Sequence, residues 1–286
     1  MKIHFSRITK ILIIGCIIGL SLLLYPTVSN YWNEKHSTRA INSYIKSLDN
    51  LTDEEYRKEL NRAVEFNKKA AQRSNRFFLS DEEKEEYQKC LDISGLGVMG
   101  YIEIPKLDIS LPVYHGTAES VLQVGIGHIE WSSLPVGGEN THCVVSGHRG
   151  LPTARLFTDI DKLREGDLFT LDVMGEILTY EVDRIRTVLP KETDELTIKP
   201  GLDLCTLVTC TPYGINTHRL LVRGHRVENN RTGARVIAEA VEIDPMIVAP
   251  IVAFPFLFIL FLMVMFKKPE NTPKKVKEKA RKELMG

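Results

Sequence analysis

The sequence predicts a mainly β domain that follows a helical segment and is tied to a membrane at both ends, and three observations predict it. From Gly95 onward, short runs of Val, Ile, Leu, Thr and Tyr are punctuated by Gly, Pro and Asn. Residues 34–92 instead carry Glu, Lys, Arg, Asn and Gln, with Ile41, Tyr44, Ile45 and Leu48 at helical spacing. Two runs without a charged residue, 11–28 and 246–266, stand near the ends.

The terminal runs come first in the chain's logic. About 20 apolar residues in a helix span the ~30 Å hydrocarbon core of a bilayer. Lys2, Arg7 and Lys10 precede the first run, and Lys267, Lys268, Lys274, Lys275, Lys277, Lys279, Arg281 and Lys282 follow the second. Basic flanks stay cytoplasmic, so both termini are expected inside and residues 30–244 outside. The first run is read as an uncleaved anchor, because it is long for the apolar stretch of a signal peptide and no small-x-small site clearly follows. Pro250 and Pro255 fall in the second run, where a membrane helix tolerates them.

Between the anchors, the charged segment reads as two or three amphipathic helices whose default role is to space the domain from the membrane. Ser80 followed by Asp81, Glu82 and Glu83 has the form of a helix N-cap with an acidic first turn. The β texture then runs through GYIEIP, ISLPVY, THCVVS, DLFTLDV, ILTYEVDRIRTVL, DLCTLVTC and HRLLVRGHRV. Seven or more short strands in roughly 130 residues argue for a barrel or a sandwich. Leu156, Phe157, Ile160 and Leu163 suggest one short helix among them. The resulting plan is a basic N-terminus (1–10), an anchor (11–28), a helical arm (29–94), the β domain (95–228), a linker (229–245), a second span (246–266) and a basic tail (267–286).

Composition removes several function classes. Lys and Arg number 37 and Asp and Glu 37, so no net basic charge calls for nucleic acid. Neither GxxxxGK[ST] nor a strand–GxGxxG–helix pattern is present, which leaves nucleotides without a seat. The cysteines, Cys16, Cys90, Cys143, Cys205 and Cys210, are too sparse for a disulfide framework. Cys143, His148, Cys205 and Cys210 lack metal-ligand spacing, so neither a metal nor a cofactor is expected.

Cys210 closes an apolar strand, and Arg219 stands nine positions later in the next one. A cysteine becomes a nucleophile only where a neighbour stabilises its thiolate or takes its proton. Outside the first apolar run and the helical segment, the candidate bases are His115, His128, His142, His148, His218 and His225. In HRLLVRGHR, alternation puts Arg219, Leu221 and Arg223 on one face and His218, Leu220 and Val222 on the other, so Arg219 and His218 cannot both face Cys210. His148 ends the apolar run in VVSGHRG between Gly147 and Gly150, at a strand terminus where catalytic groups commonly sit. Spacing alone leaves the bland readings open: a buried apolar Cys210, a hydrogen-bonded or surface His148 and a surface Arg219.

The segment LVTCTPYGINTHRLLVRGHR closely resembles the active-site strand and loop of sortases, and its proline, tyrosine and INTHRLLVRGHR portion is similar to class C, the pilin-polymerising subgroup. THCVVSGHRGLP resembles that family's histidine segment, and MGYIEIPKLDISLPVYHGT and LFTDIDKLREGD are similar to it as well, over about 96–227. The resemblance implies a closed eight-stranded β-barrel. It also implies Cys210 as nucleophile, His148 as general acid/base and Arg219 as the group stabilising the oxyanion or the substrate backbone. It further implies pilin subunits with LPxTG-like signals as partners, cleavage between Thr and Gly, and transfer of the thioester to a lysine. Class C relatives commonly carry an Asp-Pro-aromatic lid. Here SNRFFLSDEEKEEYQKCLDISG has no proline, so either Phe77 or Phe78 with Asp81 substitutes, or a lid of that type is lacking, which is the reading preferred.

The intervals 148 − 143 and 210 − 205 are both five. If the two strands run parallel and side by side, Cys143 and Cys205 are lateral neighbours, expected as buried thiols and not as a disulfide. Two alternative functions are a housekeeping sortase acting on the wall and a wall-anchored structural protein. Residues 228–245 contain no LPxTG-like pentapeptide, which weighs against the second.

Overall fold

A computed structural model describes residues 7–229 apart from 74 and 76. The second expected span (246–266), the basic tail (267–286) and the linker beyond Asn229 lie outside the described residues. Eight strands close into a barrel in the order β1-β2-β3-β4-β7-β8-β6-β5. They are β1 (Val98–Ile104), β2 (Ile109–His115), β3 (Ile126–His128), β4 (Thr141–Ser146), β5 (Leu168–Val173), β6 (Glu176–Val188), β7 (Asp203–Thr211) and β8 (His218–Arg226). All seven runs read from the sequence are strands; β3, three residues long, was too short to leave a pattern. Ile160–Lys162 forms a single 3-10 turn instead of a helix, with Leu156, Phe157, Ile160 and Leu163 all buried beneath it. The apolar spacing was a packing signal, and only one turn of backbone was needed to satisfy it.

Three helices precede the barrel: α1 (Arg7–Leu48), α2 (Asp53–Gln72) and α3 (Asp81–Lys89). The apolar run expected to be an anchor and the first part of the expected arm are therefore one continuous helix, since nothing between residues 28 and 48 breaks it. Among the described residues it is the one helix long and apolar enough to cross a membrane. Thr52 caps α2 through a reciprocal pair with Glu55, and Ser80 caps α3 in the same way with Glu83. Each such cap satisfies orphan N–H groups at a helix start and stabilises by about 1 kcal/mol. These helices do more than space the domain: Ala63, Phe66, Leu79, Tyr87, Cys90 and Leu91 are buried in the same core as Ile102, Val145, Leu207 and Val222.

A buried polar network fixes α3 to the barrel. Tyr87 Oη accepts from Gly116 N (2.9 Å) and lies 3.0 Å from His128 Nδ1, while His128 Nε2 bonds Ser133 O (2.8 Å). His115 bonds Cys90 O (2.7 Å) and Gly97 O (3.1 Å). His115 and His128 are buried and bonded in this network, and His142 is buried and bonded to Thr197 and Thr206, which removes all three from the candidate bases.

Candidate active site

The pairing of β4, β7 and β8 positions the three sequence-predicted residues. β4 and β7 run parallel from Thr141↔Asp203 to Ser146↔Val208, and Cys143 pairs with Cys205 as expected from the two intervals of five. That register has an offset of 62 (208 − 146), and 148 + 62 = 210, so His148 falls level with Cys210 just past the strand. Gly147 continues the ladder: its N–H donates to Val208 O (3.0 Å) and its carbonyl accepts from Thr209 Oγ1 (2.7 Å). Across the other edge of β7, Cys210 pairs directly with Arg219, and His218 pairs with Thr211.

Alternation then separates two faces of the same strands. Cys143, Val145, Cys205, Leu207, Leu220 and Val222 belong to the main core inside the barrel. Val144, Val208 and Leu221 face the opposite way and pack with Leu196, Ile129, Trp131 and Val188 in a second, smaller apolar cluster. Cys210, Arg219 and His148 share the parity of this second face. The arrangement is an apolar floor, partly roofed by the β6–β7 connection, with the three polar groups at one end. Extended peptide with apolar side chains suits such a floor.

Cys210 is half-buried and free. No hydrogen bond joins its Sγ to His148. Instead His148 Nε2 lies 3.4 Å from Glu119 Oε1, without hydrogen-bond geometry but near enough for an ion pair once the ring is protonated. Glu119 begins α4 (Glu119–Leu122); a hydrogen bond from Gln123, helped by His148, holds its carboxyl below the usual carboxylate range. Arg219 donates from Nη1 to His218 O (3.0 Å) and Asn216 O (3.3 Å), leaving Nε and Nη2 without hydrogen bonds in this arrangement.

Sequence reasoning missed Arg149. Its side chain is 10% exposed and joins three segments around the site: Nη2 pairs with Asp161, Nη1 donates to Thr211 Oγ1 (3.3 Å), and the guanidinium lies 5.9 Å from the Tyr213 ring centre. Gly150, at φ +76°, makes room for that ring, since a Cβ there would sit 2.8 Å from it. The residue follows His148 and its partner Thr211 follows Cys210. Only three-dimensional proximity reveals the clamp, because the Arg149 and Asp161 pairing has no sequence signature of its own. Phe77 packs edge-on against Trp131 (4.9 Å), and Phe78, 65% exposed, lies under Lys84. Asp81 stands in the first turn of α3, 3.6 Å from Lys84.

A closed barrel carrying this rim places the chain in the sortase family, whose domain model matches residues 102–227. Its structural relatives are class C sortases. Sortase C1 of Streptococcus agalactiae is 51% identical with a TM-score of 0.64, over 67% of this chain and all of that one. Streptococcus pneumoniae sortase C, whose structure bears on catalysis and pilin substrate specificity, is 42% identical with a TM-score of 0.60, over 66% and 97% of the two chains. Clostridium perfringens sortase C, solved with the C-terminal cell wall sorting motif, is 42% identical with a TM-score of 0.58, over 67% and 99%. Among curated proteins, sortase D of Bacillus subtilis is 32% identical over 45% of this chain, and sortase A of S. agalactiae 30% identical over 48%. The chain spans 63% and 55% of the lengths of those two relatives.

Proposed function

We propose that this chain is a membrane-anchored cysteine transpeptidase that cuts an LPxTG-like sorting signal between Thr and Gly and passes the acyl group to a pilin lysine. In this reading the Cys210 thiolate attacks the Thr carbonyl, and Arg219 donates hydrogen bonds to the developing oxyanion or to a substrate carbonyl. His148 protonates the departing amine of Gly, which leaves with the C-terminal part of the signal. The thioester is then attacked by a lysine ε-amine, the amine's proton passes to His148, and the C–S bond breaks to release the Cys210 thiolate as the isopeptide bond forms. The observation that supports the reading is the register of β4, β7 and β8, which pairs Cys210 with Arg219 and, continued two residues past Ser146, sets His148 level with Cys210 at one end of an apolar floor.

Nothing in this scheme requires a cofactor. The likeness to solved class C sortases favours pilin subunits over peptidoglycan as acceptor; a housekeeping role in wall attachment is the second reading. Incubating the full chain in membranes with a pilin bearing a sorting signal tests both. A covalent ladder supports polymerisation; thioester formation without a ladder, resolved only by a wall-type amine, supports attachment.

A further inference from the structure

The contacts of α1 orient the barrel relative to the bilayer. β6 pairs with β8 from Val188↔Arg219 to Tyr180↔Arg226, so Val188 lies beside the catalytic end. β6 begins at the other end, where Glu176 pairs with Val173 across the turn at Met174. α1 touches both ends. Asn30 Oδ1 accepts from Arg155 N (3.0 Å), and Asn33 Nδ2 donates to Thr153 O (2.6 Å), on the segment five to seven residues past His148. Further along, Tyr44 Oη accepts from Met174 N (2.7 Å). Between Asn30 and Tyr44 the helix rises about 21 Å, so it runs along the barrel wall from the catalytic end to the far end.

The same helix holds the apolar run 11–28, whose Leu12, Leu22 and Leu23 are 63%, 70% and 75% exposed. That run ends two residues before Asn30 and five before Asn33, a rise of about 3–8 Å. A headgroup layer is about 5–8 Å thick. Tyr25, Tyr31 and Trp32, 54–60% exposed, bracket this boundary, and Trp and Tyr concentrate where hydrocarbon meets water.

We propose that the catalytic end of the barrel faces the lipid surface, with the segment after His148 at headgroup level and the Met174 turn pointing away. This rests on the membrane-anchored reading of residues 11–28. It deepens the proposed function by setting the height above the bilayer at which the catalytic rim works.

The test uses the full chain with Cys16 and Cys210 replaced by Ala, leaving only the buried Cys90, Cys143 and Cys205. A fluorophore is attached either at Arg155→Cys or at Glu176→Cys, and the protein is reconstituted in phosphatidylcholine/phosphatidylglycerol vesicles containing a headgroup-nitroxide lipid. The expected result is loss of most of the fluorescence at 155 and none beyond the nitroxide-free control at 176. Equal loss at the two positions, or greater loss at 176, overturns the orientation. Flotation with the vesicles, scored separately, reports on the anchor: a chain that does not float overturns anchor and orientation together. None of these readouts depends on transpeptidase activity.

Discussion

Cys210 and Cys205 lie on the same strand, five residues apart, with Cys143 beside Cys205 on the neighbouring one, and Cys210 and that pair have opposite environments. The paired thiols point into the barrel, and burial pushes the Cys205 thiol well above its ordinary value. Cys90, under α3, is also pushed up to about 12 by burial, with Glu59 nearby adding to the effect. Cys210, an odd number of residues away, turns to the outer face, where Arg219 lies opposite and His148 level with it. A thiol's use is thus decided by strand parity and by what covers each face, more than by its presence in the chain.

Exchanging the two kinds of cysteine gives the largest expected difference. Cys210→Ala is expected to abolish thioester formation with a sorting peptide, read by intact-protein mass spectrometry, with the melting temperature unchanged. Cys205→Ala is expected to form the thioester while losing stability, by about 1–3 kcal/mol for a small buried side chain replaced by a smaller one. Thioester on the Cys210 variant, or none on a folded Cys205 variant, breaks the comparison. Next come His148→Ala and Arg219→Ala, each expected to lower turnover by about 10²–10⁴-fold, as measured for loss of an acid/base or of an oxyanion donor.

A smaller effect is expected from the clamp. Arg149→Lys keeps the charge and loses the fork that reaches both Asp161 and Thr211, so kcat is expected to fall by about 10–100-fold through misplacement of His148 against Cys210. KM is expected to hold, because the apolar floor is untouched; a rise in KM with kcat unchanged would assign Arg149 to peptide binding.

The mildest test sharpens a second contrast on the outer face, between two histidines of β4 and its continuation. His142 lies under the β6–β7 connection, bonded to Thr197 O (2.9 Å) and Thr206 Oγ1 (2.7 Å), and burial lowers it to about 4. His148, six residues on, stands at the open end. A base whose folded value is depressed stays neutral in the native state while the unfolded chain binds a proton. Stability is therefore fully present above pH 6.5 and falls as the pH drops towards 4, by roughly 3 kcal/mol in all. Urea midpoints across that window are expected to decline for the native chain and much less for His142→Gln.

How much of this was legible in the sequence depended on whether the signal was local. Alternation in HRLLVRGHR showed that Arg219 and His218 cannot both face Cys210, and the resemblance, not the period, chose Arg219; the equal intervals around Cys143 and Cys205 anticipated their pairing only on the condition that the two strands run parallel and side by side, as they do. The Ser80 cap was legible because a capping box is written within four residues. Arg149 was not, since its partners at Asp161, Thr211 and Tyr213 come from loops whose approach only the closed barrel sets. Glu119 was missed for the same reason: α4 is one turn long and lacks a periodic pattern. The docking of α2 and α3 was hidden by their composition, because Phe66 and Tyr87 are isolated among charges, and a few large buried side chains suffice to fasten a helix.

Closure of the sheet has one further consequence. With β1 joined to β5, each of the eight described strands has a neighbour on both sides, so the barrel has no edge strand onto which an extended peptide could add as a ninth strand along its whole length. A sorting signal must therefore be recognised by side chains and loop backbone across the outer face, which makes its sequence, and not its capacity to form a ladder, the basis of selection. The same closure limits the sheet as a template for unwanted strand exchange between copies of the protein.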